Sequence, residues 1–238
     1  MYSELAGVTV ILTRDGPDNA ALAARLKRWS AEVVELPCVQ VEPLADPRPL
    51  RDALAALREE DWLGLTSRHA AEAVASCGPT RASVAAVGGA TAERSRAHGL
   101  RVEFEPSAAN GERLARELPE RGGEALLARS DQALPDLPAI LRERGFAVRE
   151  VVAYHTIADA RGDVARVRAL LTSNEPVAVM FYSPSAVTGM LRAIEAPLVA
   201  RASIYVAGRA TLRAVRDAVG VDAEVSLFED EVVHVARR

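Results

Sequence analysis

The stretch Val148–Asp159, V-R-E-V-V-A-Y-H-T-I-A-D, decides how the rest of the chain is read. Val, Tyr, Thr and Ile favour extended backbone, and neither Gly nor Pro interrupts the run before Gly162. The pattern predicts a buried strand that continues into an extended connector and carries Tyr154. A second β-rich stretch, Val33–Pro43 (V-V-E-L-P-C-V-Q-V-E-P), likewise follows an amphipathic helix pattern. Two such stretches suit a chain that crosses twice between two lobes, with hinges at the crossings; the alternative is two consecutive lobes with a single hinge.

Outward from these crossings, the flanking segments match each other. Val8–Leu12 closes on Thr13-Arg14 and precedes Leu22 and Leu26, whereas Ala125–Ala128 closes on Arg129-Ser130 and precedes Leu137 and Leu141. Arg14 to Arg129, Leu22 to Leu137, Leu26 to Leu141 and Glu35 to Glu150 are each 115 positions. Ser67 and Ser183 stand 116 apart, and Gly88 to Gly208 and Thr91 to Thr211 are both 120, so an indel of four residues separates the copies. Each copy alternates strand and helix patterns, which is how parallel sheets wrapped by helices are written. The expected fold is α/β: two doubly wound parallel-sheet lobes related by internal duplication and joined by a two-stranded connector. Residues 1–37 and 159–238 would form one discontinuous domain, and 38–158 the other, with crossings near 33–43 and 148–159.

Composition narrows the function classes. With 238 residues, 49% apolar and 26% charged, the chain can bury a real core and does not read as disordered. A net charge of −4 argues against general nucleic-acid binding, which needs a basic excess. Cys38 and Cys77 lack disulfide or zinc spacing and read as free buried thiols, and His69, His98, His155 and His234 show no metal spacing. No apolar window approaches a membrane span and the first residues lack a leader pattern, so a cytoplasmic address with no membrane is expected. No metal is implied, and the chain is expected to be a monomer acting on a small-molecule substrate. The G-x-G-x-x-G, P-loop and G-x-S-x-G patterns are all missing, which argues against dinucleotide binding and a hydrolase triad.

In open parallel sheets, ligands collect at the carboxyl ends of the strands. Here those ends carry Arg14, Ser67, Arg68, Gly88, Thr91, Arg129, Ser130, Ser183, Ser185, Gly208, Arg209 and Thr211. Helix N-termini, hydroxyls and arginines together suit carboxylates or phosphates. Each residue also has an ordinary reading: Ser183-Pro184 is what a helix start prefers, and the glycines can serve tight turns. Tyr154 can be a core aromatic with its hydroxyl at an edge.

The pieces V-I-L-T-R (10–14), A-E-V-V-E-L-P (31–37), L-T-S-R-H-A (65–70), V-G-G-A-T-A (87–92), A-V-R-E-V-V-A-Y-H-T (147–156), F-Y-S-P-S-A-V (181–187) and A-G-R-A-T (207–211) occur in an order and spacing that resembles the uroporphyrinogen-III synthase family. The resemblance implies cyclisation of hydroxymethylbilane to uroporphyrinogen III, with loss of water, inversion of ring D and no cofactor. It places the family's catalytic tyrosine on Tyr154, and Thr91, Ser183 and Thr211 at the substrate cleft. Two positions depart from the family pattern: Arg209 stands where Pro is usual, and Phe228-Glu229-Asp230-Glu231 follows the last strand where Pro-Thr is common. Acids facing the cleft would favour an alternative, a tetrapyrrole- or polyanion-binding module without turnover.

Overall fold

The structure is a computed structural model that describes residues 6–14, 16–220 and 225–228. In chain order it begins β1 (Thr9–Leu12), α1 (Gly16–Arg28), β2 (Glu32–Glu35), β3 (Val39–Pro43), α2 (Arg48–Ala55), β4 (Trp62–Leu65) and α3 (Arg68–Cys77). It continues with β5 (Ser83–Ala86), α4 (Gly89–Ala97), β6 (Val102–Phe104), α5 (Gly111–Glu117), β7 (Glu124–Ser130), α6 (Asp136–Glu143) and β8 (Ala147–Ala158). The last elements are α7 (Val164–Thr172), β9 (Val177–Phe181), α8 (Pro184–Ala193), α9 (Ala196–Val199), β10 (Ser203–Ala207), α10 (Gly208–Val219) and β11 (Val225–Phe228). Two compact units result, Met1–Gln40 with Ile157–Arg238, and Val41–Thr156.

The first unit holds a five-stranded sheet of order β11-β10-β9-β1-β2, parallel throughout. Alternation along β1 sends Ile11 to one face and Val10 and Leu12 to the other. On the first face Ile11 joins Val34, Val179, Phe181 and Ile204 beneath Val167 and Leu171 of α7 and Val187 and Met190 of α8. On the second, Leu22 and Leu26 of α1 cover Val10, Leu12 and Met180. Strands buried on both faces read as continuous apolar runs, which is why β1 (T-V-I-L) and β9 (V-A-V-M-F) do. The Thr13 hydroxyl, at the end of β1, donates to the Met180 carbonyl at 2.6 Å and so fastens the two central strands where the site residues begin.

The second unit holds a six-stranded sheet of order β3-β8-β7-β4-β5-β6, with parallel pairing from β8 to β6. Leu63, Leu65, Val84 and Leu126 pack under α2, α3 and α4. Trp62, Ala85, Ala125 and Leu127 pack under Leu114 of α5 and Leu137 and Leu141 of α6. Apart from β3, the two sheets share one strand order, and their registers run in step. Thr9 pairs with Glu32 and Val10 with Ala178 in the first; Glu124 pairs with Ala147 and Ala125 with Trp62 in the second.

The two stretches that opened the reading differ from expectation in detail. β8 is not a buried strand: only Ala153 and Tyr154 are buried, and Val152 is 39% exposed, because helices cover little of this side of the sheet. The other stretch is broken at 36–38, around Pro37, into β2 in the five-stranded sheet and β3 in the six-stranded one. The chain changes unit at 40/41 and again at 156/157. Cys38 is buried as a free thiol, but Cys77, at the end of α3, is only half-buried.

Candidate functional site

Every residue singled out at a strand end lies at the carboxyl edge of its own sheet or in the first turn of the helix that follows. Ser67, Arg68, Gly88, Thr91, Arg129, Ser130 and Tyr154 belong to the second unit. Arg14, Ser183, Ser185, Gly208, Arg209 and Thr211 belong to the first.

In the second unit the centre is Tyr154, 8% exposed, on β8 opposite Ser130 of β7 after a register shift. Its hydroxyl lies 2.8 Å from the Ser67 hydroxyl. Ser67 follows β4 in extended conformation and caps α3 by accepting the Ala70 N–H at 3.0 Å, so one side chain serves both the helix and the phenol. The His69 ring meets the Tyr154 ring edge-on, with centroids 5.9 Å apart. Burial pushes the phenol pKa above its ordinary value; the Ser67 hydrogen bond pulls it back, the Asp131 carboxylate adds to the rise and Arg129 opposes it. The phenol therefore holds its proton at neutral pH.

Around it the end of β7 is knitted together. Ser130 shares a hydrogen with Thr156 at 2.6 Å, and Asp131 accepts from the Thr156 N–H at 2.9 Å and pairs with His155 Nδ1 at 3.1 Å. Desolvation works against the Asp131 carboxylate, but these donors outweigh it and hold its pKa below the usual range. Arg129, expected to offer its guanidinium to a ligand, is 7% exposed and engaged inside the unit: it donates to the Leu134 carbonyl at 3.0 Å and faces Glu150 at 3.2 Å. Burial lowers its pKa, with the Glu150 charge opposing. Gly88 has a packing reason rather than a ligand reason, since a Cβ there would come within 2.6 Å of the Ala109 Cβ. Thr91 is buried in the first turn of α4, and Arg68 is half-buried at the start of α3.

In the first unit, Arg14 follows β1 and stacks over the Tyr182 ring, 3.5 Å from its centroid. Its Nε and Nη2 are buried and have no hydrogen-bond partner among the described residues. Its carbonyl accepts from Asn19 Nδ2 at 2.8 Å, which pins the turn into α1. A guanidinium held flat with donors unspent is suited to a carboxylate or phosphate. Ser183 caps α8 through the Ala186 N–H at 3.2 Å, with Ser185 one residue inside the helix. Gly208 opens α10 at φ +81, which a side chain would strain, and nothing lies within 4 Å of where its Cβ would be. Beside it Arg209 is exposed and Thr211 buried.

Sequence reasoning missed Tyr182, Asn19 and Asp131 as members of these clusters. Tyr182 and Asp131 directly adjoin named residues, in F-Y-S-P-S and A-R-S-D, and that adjacency was the available signal. Glu229, Asp230 and Glu231 lie outside the described residues. Among the described residues no group of three His, Cys, Asp or Glu side chains could hold a metal, and no helix is long and apolar enough to cross a membrane.

Parallel sheets that gather helix N-termini, hydroxyls and an unspent guanidinium at their carboxyl edges define a class of α/β proteins suited to anionic small molecules. Within it, the family described as uroporphyrinogen-III synthase HemD matches residues 20–224, and this chain belongs to that family. It is 30% identical over 163 residues to the uroporphyrinogen-III synthase of Synechococcus elongatus, covering 64% of this chain and 62% of that protein. It is 33% identical over 199 residues to the chloroplastic uroporphyrinogen-III synthase of Oryza sativa subsp. japonica, covering 76% and 63%. The chain thus spans less than two thirds of the length of these relatives. A solved structure of a mutant uroporphyrinogen III synthase from the extremely thermophilic bacterium Thermus thermophilus superposes with a TM-score of 0.62 at 20% identity, over 90% of each chain, and shares the α/β fold with parallel sheets.

Proposed function

We propose that this chain is a uroporphyrinogen-III synthase, closing hydroxymethylbilane to uroporphyrinogen III with loss of water and inversion of ring D. The observation that carries the reading is Tyr154: a buried phenol, protonated at neutral pH and hydrogen-bonded to Ser67, in a chain of this family. Departure of the terminal hydroxyl as water needs a proton donor, and a positioned phenol supplies one. The electrophilic azafulvene left behind must be attacked by the far end of the same molecule, so the other task is to hold a flexible polycarboxylate in one geometry. Each unit offers donors suited to carboxylates at its own strand ends: Arg14, the Ser183 and Ser185 end of α8, Gly208, Arg209 and Thr211 in the first, and Ser130, Arg68 and Thr91 in the second. The same reading makes the protein a cytoplasmic monomer acting on a small molecule.

The shared strand order, the stepped registers and the 115-residue offset support descent of both units from one duplicated ancestor. They also support β3 and β8, neighbours in one sheet, as the paired connector. The function is tested by adding the purified protein to freshly made hydroxymethylbilane, oxidising the products and separating the isomers. Isomer III formed in proportion to protein is expected. Isomer I alone, at the rate seen without protein, would refute the proposal.

A further inference from the structure

We propose that Ser67 is a positioning residue for Tyr154: its hydroxyl donates to the phenol oxygen as that oxygen gives up its proton. The inference rests on the synthase reading above and deepens it.

The geometry sets what each hydroxyl can do. One Ser67 lone pair is taken by the Ala70 N–H at 3.0 Å, which leaves its hydrogen and a second lone pair for the Tyr154 oxygen at 2.8 Å. A phenol that spends its proton on Ser67 has none for a substrate, so in the reacting arrangement Ser67 donates and Tyr154 accepts. Charge then develops on an oxygen that belongs to a residue only 8% exposed, where an undonated phenolate is costly. The repeat isolates this second task from capping. Ser183 adopts φ −154 and ψ 157 against −155 and 159 for Ser67 and caps its helix in the same way, yet the position 115 residues before Tyr154 is Val39, which has no hydroxyl.

The step balances. The hydroxymethyl C–O bond breaks with its electron pair on oxygen, that oxygen takes the Tyr154 proton and leaves as water, and the phenolate recovers a proton from the carbon that loses one when the macrocycle closes. Besides Ser67, the titratable and charged groups around the phenol are His69 from α3, Arg129 and Asp131 from the end of β7, and the adjacent His155. None is altered in the variants that follow.

Ser67→Gly removes the hydroxyl but keeps a residue accepted at helix N-caps, and Ser67→Thr keeps both hydroxyl and cap. Tyr154 is titrated by ultraviolet absorbance as the difference between each protein and its Tyr154→Phe partner, alongside kcat and KM. In Ser67→Gly the Tyr154 midpoint should move to higher pH, and kcat should fall about 10–100-fold at unchanged KM, the weight of a hydrogen bond to a charged group. Ser67→Thr should restore both. An unmoved midpoint while Tyr154→Phe is impaired overturns the role of Ser67 alone, as does a change confined to KM. A moved midpoint with Tyr154→Phe fully active overturns the reading of Tyr154, and the role of Ser67 with it.

Discussion

Arg14, just past β1, and Arg129, at the end of β7, stand 115 positions apart at the carboxyl edges of their sheets, and their surroundings assign them opposite tasks. Among the described residues Arg14 keeps two buried donors without a hydrogen-bond partner, over the Tyr182 ring. Arg129 turns its Nη2 to the Leu134 carbonyl and the Glu150 carboxylate within its own unit. Replacing Arg14 by Ala should therefore raise KM with kcat changed only a few-fold, and Arg14→Lys should not rescue it, because an ammonium neither stacks nor forks. Steady-state kinetics checks this, and a collapsed kcat at unchanged KM would contradict it. Arg129→Ala should instead cost stability, about 1.5–3 kcal/mol in urea unfolding, by removing the part-buried hydrogen bond that this charged side chain gives the Leu134 carbonyl. A folded, equally stable Arg129→Ala with raised KM would return this arginine to the substrate.

At the scale of elements, the bend at 36–38 between β2 and β3 is held by Cys38, whose thiol is buried and donates to the Leu36 carbonyl at 3.1 Å. Burial, aided by the Asp159 charge, pushes its pKa from 9.0 up to about 12. A raised pKa means that the folded state keeps a proton which the unfolded chain releases. Its stabilising contribution is thus whole below pH 9 and is lost as pH climbs toward 12. The wild type should lose about 1.4 kcal/mol per pH unit from this group across that window. Cys38→Ala should show a shallower alkaline slope in urea titrations, and an identical slope would contradict the assignment. The alternation of elements was legible because strands buried on both faces are written as unbroken apolar runs, as in β1 and β9. Less legible were short pieces with no period to betray them. The four-residue indel corresponds to α9, Ala196–Val199, a single turn placed before β10. The exposure of β8 was hidden for a related reason, since β-branched residues mark extended backbone without saying whether a helix covers it.

At the scale of the molecule, the 115-residue repeat was visible in one sequence because it preserves glutamates, arginines and leucines at matching strand and helix positions. The strand ends that carry the candidate site followed from it. What could not be read was which side chains meet. Ser67 and Tyr154 are 87 residues apart, and Gly88 faces Ala109 across a loop, so neither contact leaves a periodic trace. Nor could sequence distinguish an arginine with buried donors to spare from one turned to partners within its own unit. In the proposed reaction the buried phenol of Tyr154 on β8 releases water from hydroxymethylbilane while donors at the strand ends hold its carboxylates. The measurement that tests it most directly is isomer-resolved product formation by wild type and Tyr154→Phe side by side. Wild type should give isomer III. Tyr154→Phe should stay folded and bind, with kcat lower by a factor on the order of 10²–10⁴ and isomer I accumulating from the uncatalysed closure. Wild-type kcat and pure isomer III from Tyr154→Phe would contradict the account.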